Sequence, residues 1–217
     1  MDQKEFDERR FFAVTEYTRL KNDFLHLIEY IPLSQDHFKV YSPKLSSLIT
    51  DACEQILDCL EILIQTPYNS KRLLLPGPEV FEKKRKHFVQ KINDGKQKYS
   101  SFGFLPLFCF INRSPEFFGE LSNVGDADVY VSRLGIFIQP FEDKIQTDQG
   151  PIPDWWGSYT VIKHDRYSAR KEANLEIALR TLAGLFLLVT HPYRNDPLPH
   201  FFSMHQEDRL YSTFGIV

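Results

Sequence analysis

Lys163, His164 and Arg166 fall within one run, Lys-His-Asp-Arg, of a 217-residue chain. Metal-free cleavage of RNA needs a group that takes and returns the 2′-hydroxyl proton, and cations that hold the charge built up on the phosphorane. An imidazole between two cations supplies both kinds of group. If the preceding segment is helical, Trp156, Tyr159 or Thr160, and Lys163 lie along one side, with Trp155 and Tyr159 one turn apart. The competing interpretation is that both tryptophans anchor a core while His164 caps or hydrogen-bonds a helix end.

A second cationic feature lies in residues 71–98. Lys71, Arg72, Lys83, Lys84, Arg85, Lys86, Lys91, Lys96 and Lys98 face only Glu79, Glu82 and Asp94, a local net of +6 in a chain whose total is −3. With Phe81, Phe88 and Tyr99 interleaved, such a face can follow an RNA backbone and stack bases. A solvated helix face is the alternative. The overall balance of 26 basic and 29 acidic residues excludes a chain that is basic throughout.

Other chemistries have little support. Cys53, Cys59 and Cys109 form no Cys-x-x-Cys pair, and their odd number argues for buried reduced thiols, not a disulfide framework. His191, His200 and His205 sit near Asp196, Glu207 and Asp208 without ligand spacing on a helix, so no metal is expected. Neither a glycine-rich phosphate loop nor a Gly-x-Ser-x-Gly elbow occurs, so no cofactor is expected.

These residues must be positioned by the elements around them. Leu20, Phe24, Leu27 and Ile28 recur on one helical face, predicting a helix over 11–29 that ends at Ile31-Pro32. Ser42-Pro43 reads as an N-cap followed by a first helical residue. Behind it, Leu45, Leu48, Ile49, Ala52, Ile56, Leu57, Leu60 and Leu63 form a stripe that stops before Pro67. Pro78 opens a further helix that ends at Asn93-Asp94-Gly95. Residues 99–149 are expected to be irregular, with a short strand pair in the β-branched stretch 129–138. Asp154 is expected to cap the segment Trp-Trp-Gly-Ser-Tyr-Thr-Val-Ile-Lys-His. A last helix is expected over 168–189, closed by Thr190-His191-Pro192.

The fold class that follows is mainly α: a helical bundle in which residues 99–149 form a partly β insertion, all within one domain over 1–217. The first ten residues alternate in charge and lack the apolar core of a secretory signal. The longest apolar stretch, 182–189, is far short of the ~20 residues that span a bilayer. A cytoplasmic protein with no membrane partner is expected.

Residues 41–65 (YSPKLSSLITDACEQILDCLEILIQ) and 153–189 (PDWWGSYTVIKHDRYSARKEANLEIALRTLAGLFLLV) together resemble the HEPN-like helical proteins of bacteria. In that family a Tyr-Ser-led helix is followed by Trp-Trp, an aromatic, Lys-His, an Ala-Asn-Leu step and an apolar helix. The two stretches cover just over a quarter of the chain. The resemblance implies a helical bundle that binds or cleaves RNA without metal, in a toxin or phage-defence setting, although the broader family also has members with no activity. Its active members carry Arg followed after four to six residues by His, usually near a dimer seam. Here the chain departs from the pattern, because Arg180 is followed by His only at His191. Arg19 and His26 satisfy the bare spacing on the first helix and form a reserve pair. Arg194 and His200 satisfy it too, but Pro197 and Pro199 between them rule out a shared regular helix.

On this reading His164 moves the proton and Lys163 and Arg166 steady the phosphate. Lys71, Arg72, Lys83, Lys84, Arg85 and Lys86 then guide the strand. The expected partners are RNA and a second copy or another protein. The alternative is a non-catalytic module that dimerises or docks through the aromatics of 102–118.

Overall fold

A computed structural model describes residues 3–65, 83, 107, 108, 111, 125–142, 144–147, 150–165, 167–190 and 212–214. The protein is mainly helical, with a small strand-containing region in the middle of the chain. Helix α1 (Gln3–Ile28) buries Ala13, Tyr17, Leu20, Phe24 and Ile28, a stripe at spacings of three and four. It starts eight residues earlier than the apolar pattern predicts. Its first turns are held by charge: Arg9 bonds Glu5 at 2.9 Å and Lys4 lies 3.8 Å from Glu8, both one helical turn apart.

Helix α2 (Pro43–Gln65) begins where the sequence places it. The Ser42 hydroxyl accepts the Leu45 amide at 3.1 Å, and Pro43 has no amide to leave unpaired. Its buried residues, among them Leu45, Ile49, Ala52, Cys53, Ile56 and Leu60, surround more than one face, because α2 packs against three other helices.

The middle region supplies two small sheets. Strands β1 (Val129–Val131) and β2 (Ile136–Ile138) pair antiparallel, Val129 opposite Ile138 and Val131 opposite Ile136, in the stretch expected to hold a strand pair. Gly135 closes their turn at φ +63°, where a side chain would be strained. Strands β3 (Lys144–Thr147) and β4 (Gly150–Pro153) form a second antiparallel pair.

Strand β4 runs directly into helix α3 (Asp154–His164), and helix α4 (Leu175–Thr190) follows. Thirteen of the sixteen residues of α4 are buried, so it is apolar all round and lies at the centre, against α1, α2 and α3. A fifth strand, β5 (Ser212–Phe214), returns to pair parallel with β1 and completes the order β2-β1-β5.

The last helix starts later than expected. Residues Ser168–Glu172 form a 3₁₀ turn and α4 begins only at Leu175. Asn174 caps the new start. Its Oδ1 accepts the Ile177 amide at 3.1 Å, while the Leu175 and Glu176 amides donate to Val40 and Phe38 carbonyls at 3.0 and 3.1 Å. The connector between α1 and α2 is thereby fastened to the start of α4, through the Tyr41–Asn174 bridge.

Asp154 is also placed differently. It is the first residue of α3 rather than its cap, and its carboxylate accepts the Trp155 amide at 2.6 Å. The predicted helix from Pro78 and its end at 93–95 lie outside the described residues, apart from Lys83, which is helical and exposed.

Candidate nucleic-acid interface

One face of α3 is pulled into the core and the other is left in water. Trp155, Ser158, Tyr159 and Ile162 are buried at helical spacing. Trp155 is fully buried: its ring meets Phe141 edge-on at 5.7 Å, and its indole N–H donates to the Pro140 carbonyl. Gly184 on α4 makes room for this cluster, since a Cβ there would already touch the Phe141 and Trp155 rings at 3.4 and 3.5 Å. Phe108 stacks on Phe141 at 4.9 Å. Of the aromatic run proposed as an interface, the described members Leu107, Phe108 and Ile111 are therefore inside the chain's own core. The other residues of that run lie outside the described residues.

With Trp155 anchored, burial along α3 ends at Ile162 and the last turn emerges. Lys163 and His164 are exposed there, at the helix end whose free carbonyls favour cations. Lys163 turns back along the helix. Its Nζ donates to the Tyr159 hydroxyl at 3.0 Å and stands 5.4 Å from that ring's centroid. That hydrogen bond first, and Glu54 on α2 more weakly, push the ammonium above its ordinary pKa. Among the described residues, the Tyr159 hydroxyl is its one hydrogen-bond partner, which leaves donors for an anion.

The His164 ring is in solvent, and no described residue forms a hydrogen bond or ion pair with it. It is neither sealed against Trp155 nor used as a helix cap. The tryptophan half of the competing interpretation holds, with Trp155 buried and Trp156 packed half-buried against the core, and among the described residues none hydrogen-bonds the His164 ring. Lys163 and His164 are adjacent residues, about 100° apart around the helix, so they do not converge on one point by themselves. Arg166 lies outside the described residues.

The chain then enters the 3₁₀ turn, where sequence reasoning missed three residues. Tyr167 is 81% exposed, the Arg170 guanidinium lies 5.6 Å from its ring centroid, and Arg170 and Lys171 are both exposed. Glu172, the nearest acid after them, receives the Ser158 hydroxyl at 3.3 Å. The available signal was cation density, since residues 163–171 (KHDRYSARK) hold four Lys or Arg and one Asp. Reading 168–189 as one continuous helix spread those cations around a cylinder and hid the cluster.

The reserve pair is brought into a different setting. Arg19 is ringed by carboxylates: Glu16 at 3.0 Å, Asp23 at 3.1 Å and Asp51 of α2 at 3.4 Å. The Glu16 hydrogen bond leads the causes that raise its pKa further. His26 pairs with Glu29 at 3.2 Å and meets Tyr30 edge-on at 5.5 Å. Seven residues separate the pair by ~10 Å along the axis, too far to grip one phosphate together. Three carboxylates around the guanidinium disfavour an anion at that point.

An acidic ladder runs along α2 through Asp51, Glu54, Asp58 and Glu61. Partial burial raises the pKa of Asp58 and Glu61, and next come the charge of Glu54 on Asp58 and of Asp58 on Glu61; Arg9 opposes both.

Cys53 and Cys59 are buried free thiols. Burial holds Cys53 well above its ordinary pKa and pushes Cys59 up to about 12, so neither is a nucleophile. Cys109 lies outside the described residues, as do Lys71, Arg72, Lys84, Arg85, Lys86, His191, Arg194, His200 and His205. Among the described residues, no three His, Cys, Asp or Glu side chains gather as metal ligands. No helix among them is long and apolar enough to cross a membrane. No family model matches this chain, and neither a curated protein nor a solved structure does.

Proposed function

We propose that this protein binds RNA through the exposed basic turn that joins α3 to α4, with Lys163, Arg170 and Lys171 meeting phosphates. The observation that carries the reading is an excess of positive charge in the turn, four Lys or Arg in residues 163–172 against Asp165 and Glu172. Arg170 and Lys171 are exposed cations, Lys163 is exposed and donates to the Tyr159 hydroxyl, and Glu172 accepts from Ser158. Phosphate contacts of this kind supply affinity whatever the base sequence and weaken steeply with salt. The HEPN-like resemblance of residues 41–65 and 153–189 points to the same ligand class.

Filter retention of a labelled RNA across a salt series tests the reading. Lys171→Ala is expected to weaken binding evenly across sequences and to lower the salt slope by about 1. Retention by the wild type that is absent, or indifferent to salt, overturns it.

A second reading, metal-independent cleavage, is favoured by one observation: the His164 ring is exposed beside this turn, where a substrate can reach it. Cleavage is measured in EDTA for wild type and His164→Ala. Loss of activity in the variant supports the reading. Equal activity in both removes His164, and none in either removes the enzyme.

A further inference from the structure

We infer that Tyr167 is a stacking platform for an unpaired base, and that the basic turn therefore selects single-stranded over duplex RNA. This rests on the RNA-binding reading above and adds a ligand class to it.

An aromatic ring that is 81% exposed contributes little to the core, and Tyr167 lies beyond the buried stripe of α3. One neighbouring side chain contacts it. The neighbouring 3₁₀ turn holds Arg170 with its guanidinium 5.6 Å from the ring centroid, within the range of a cation–π contact. The turn is itself anchored, because Ala169 and Ala173 are buried and the Ala169 amide donates to the Asp165 carbonyl at 2.9 Å. A ring steadied by a cation, with most of its surface still in water, is preorganised to receive a flat π-system.

Arg170 and Lys171 stand in the same turn to meet the phosphates on either side of a base lying there. A paired base inside a duplex has both faces covered by its neighbours, so only an unpaired base can use the ring. Base–aromatic stacking of this kind tolerates any base.

The experiment measures anisotropy of the full-length protein with three labelled probes: a uridine homo-oligomer, a duplex of the same length, and an abasic oligomer with the same phosphates. Tyr167→Ala is expected to weaken uridine-oligomer binding about tenfold, to leave duplex binding and the salt slope unchanged, and to be rescued by Tyr167→Trp. The wild type is expected to lose the same factor on the abasic probe. If Tyr167→Ala holds the uridine oligomer as the wild type does, or the wild type holds the abasic probe equally well, the platform is overturned and phosphate binding by the turn survives. If the wild type retains neither single strand nor duplex, the RNA-binding reading falls and the platform with it.

Discussion

Arg19 with His26 on α1, and Lys163 with His164 on α3, pair the same kinds of side chain and end in opposite electrostatic settings. Around Arg19 the fold gathers three carboxylates, one of them Asp51 from α2. Around Lys163 it places the Tyr159 hydroxyl, with Glu54 only a minor influence. His26 is paired with Glu29, and His164 has no bonded partner among the described residues. A cation and a histidine at suitable spacing are therefore not a site in themselves. The charges that neighbouring turns and helices deliver decide whether an anion is welcome.

The largest expected effect comes from removing what keeps the α3 pair in place. Trp155→Ala empties the space between Phe141 and Gly184 and deletes the indole bond to the Pro140 carbonyl. It is expected to cost ~3–5 kcal/mol in chemical denaturation. A cost below about 1 kcal/mol means that α3 is held by something other than its tryptophan, and the contrast with α1 loses its structural basis.

Next comes binding itself. Arg170→Ala combined with Lys171→Ala is expected to weaken RNA retention about tenfold or more at moderate salt, and to lower the salt slope by about 2. Arg19→Ala, whose guanidinium is occupied by acids, is expected to leave both quantities unchanged and to alter stability by no more than ~1 kcal/mol. Equal losses from the two variants would show that the carboxylates around Arg19 do not exclude phosphate.

A smaller effect is expected where the basic turn is stopped. Asn174→Ala removes the acceptor of the Ile177 amide, and ~1 kcal/mol of stability should go with it. If hydrogen exchange then shows Ser168–Glu172 protected as α-helix, the side chain of Asn174 alone was breaking the helix. If protection there is unchanged, the bonds from the Leu175 and Glu176 amides to the Val40 and Phe38 carbonyls suffice.

Much of the scaffold was legible because it is local. The Ser42-Pro43 pair and the stripe behind it place α2, the β-branched stretch gives the β1–β2 hairpin, and the apolar run of α4 needs no partner to be recognised. What escaped depends on charge or on distance along the chain. The first turns of α1 carry no apolar stripe and stand on ion pairs, so a periodicity reading passes over them. Strand β5 pairs with β1 from more than seventy residues away, which no local pattern encodes.

The candidate site divides the same way. Glu16 and Asp23 lie at helical spacing from Arg19 and could have been read against it, whereas Asp51 arrives only through the packing of α2 on α1. Lys163 and His164 were visible as types, but Tyr167, Arg170 and Lys171 become a cluster only because the chain runs through a 3₁₀ turn before α4 begins.

The smallest expected effect concerns the acids of α2 themselves. Asp58 and Glu61 have folded-state pKa values above their unfolded ones, through partial burial first and neighbouring carboxylates second. The folded state therefore holds protons more firmly than the unfolded state. Stability contributed by these two sites is present below the ordinary carboxylate range and is lost as pH rises through their raised values. At neutral pH both are a cost, partly offset by Arg9. Asp58→Asn removes the charge without removing the shape, so it is expected to raise stability at pH 7, within about 0.5 kcal/mol for so exposed a position. It should also flatten the acid side of the stability–pH curve, measured by urea melts at several pH values. A variant less stable than the wild type at pH 7 would mean that Arg9 outweighs burial and repulsion. The acids of α2 would then behave like those around Arg19, as partners, and the contrast between the two faces would narrow to the turn alone.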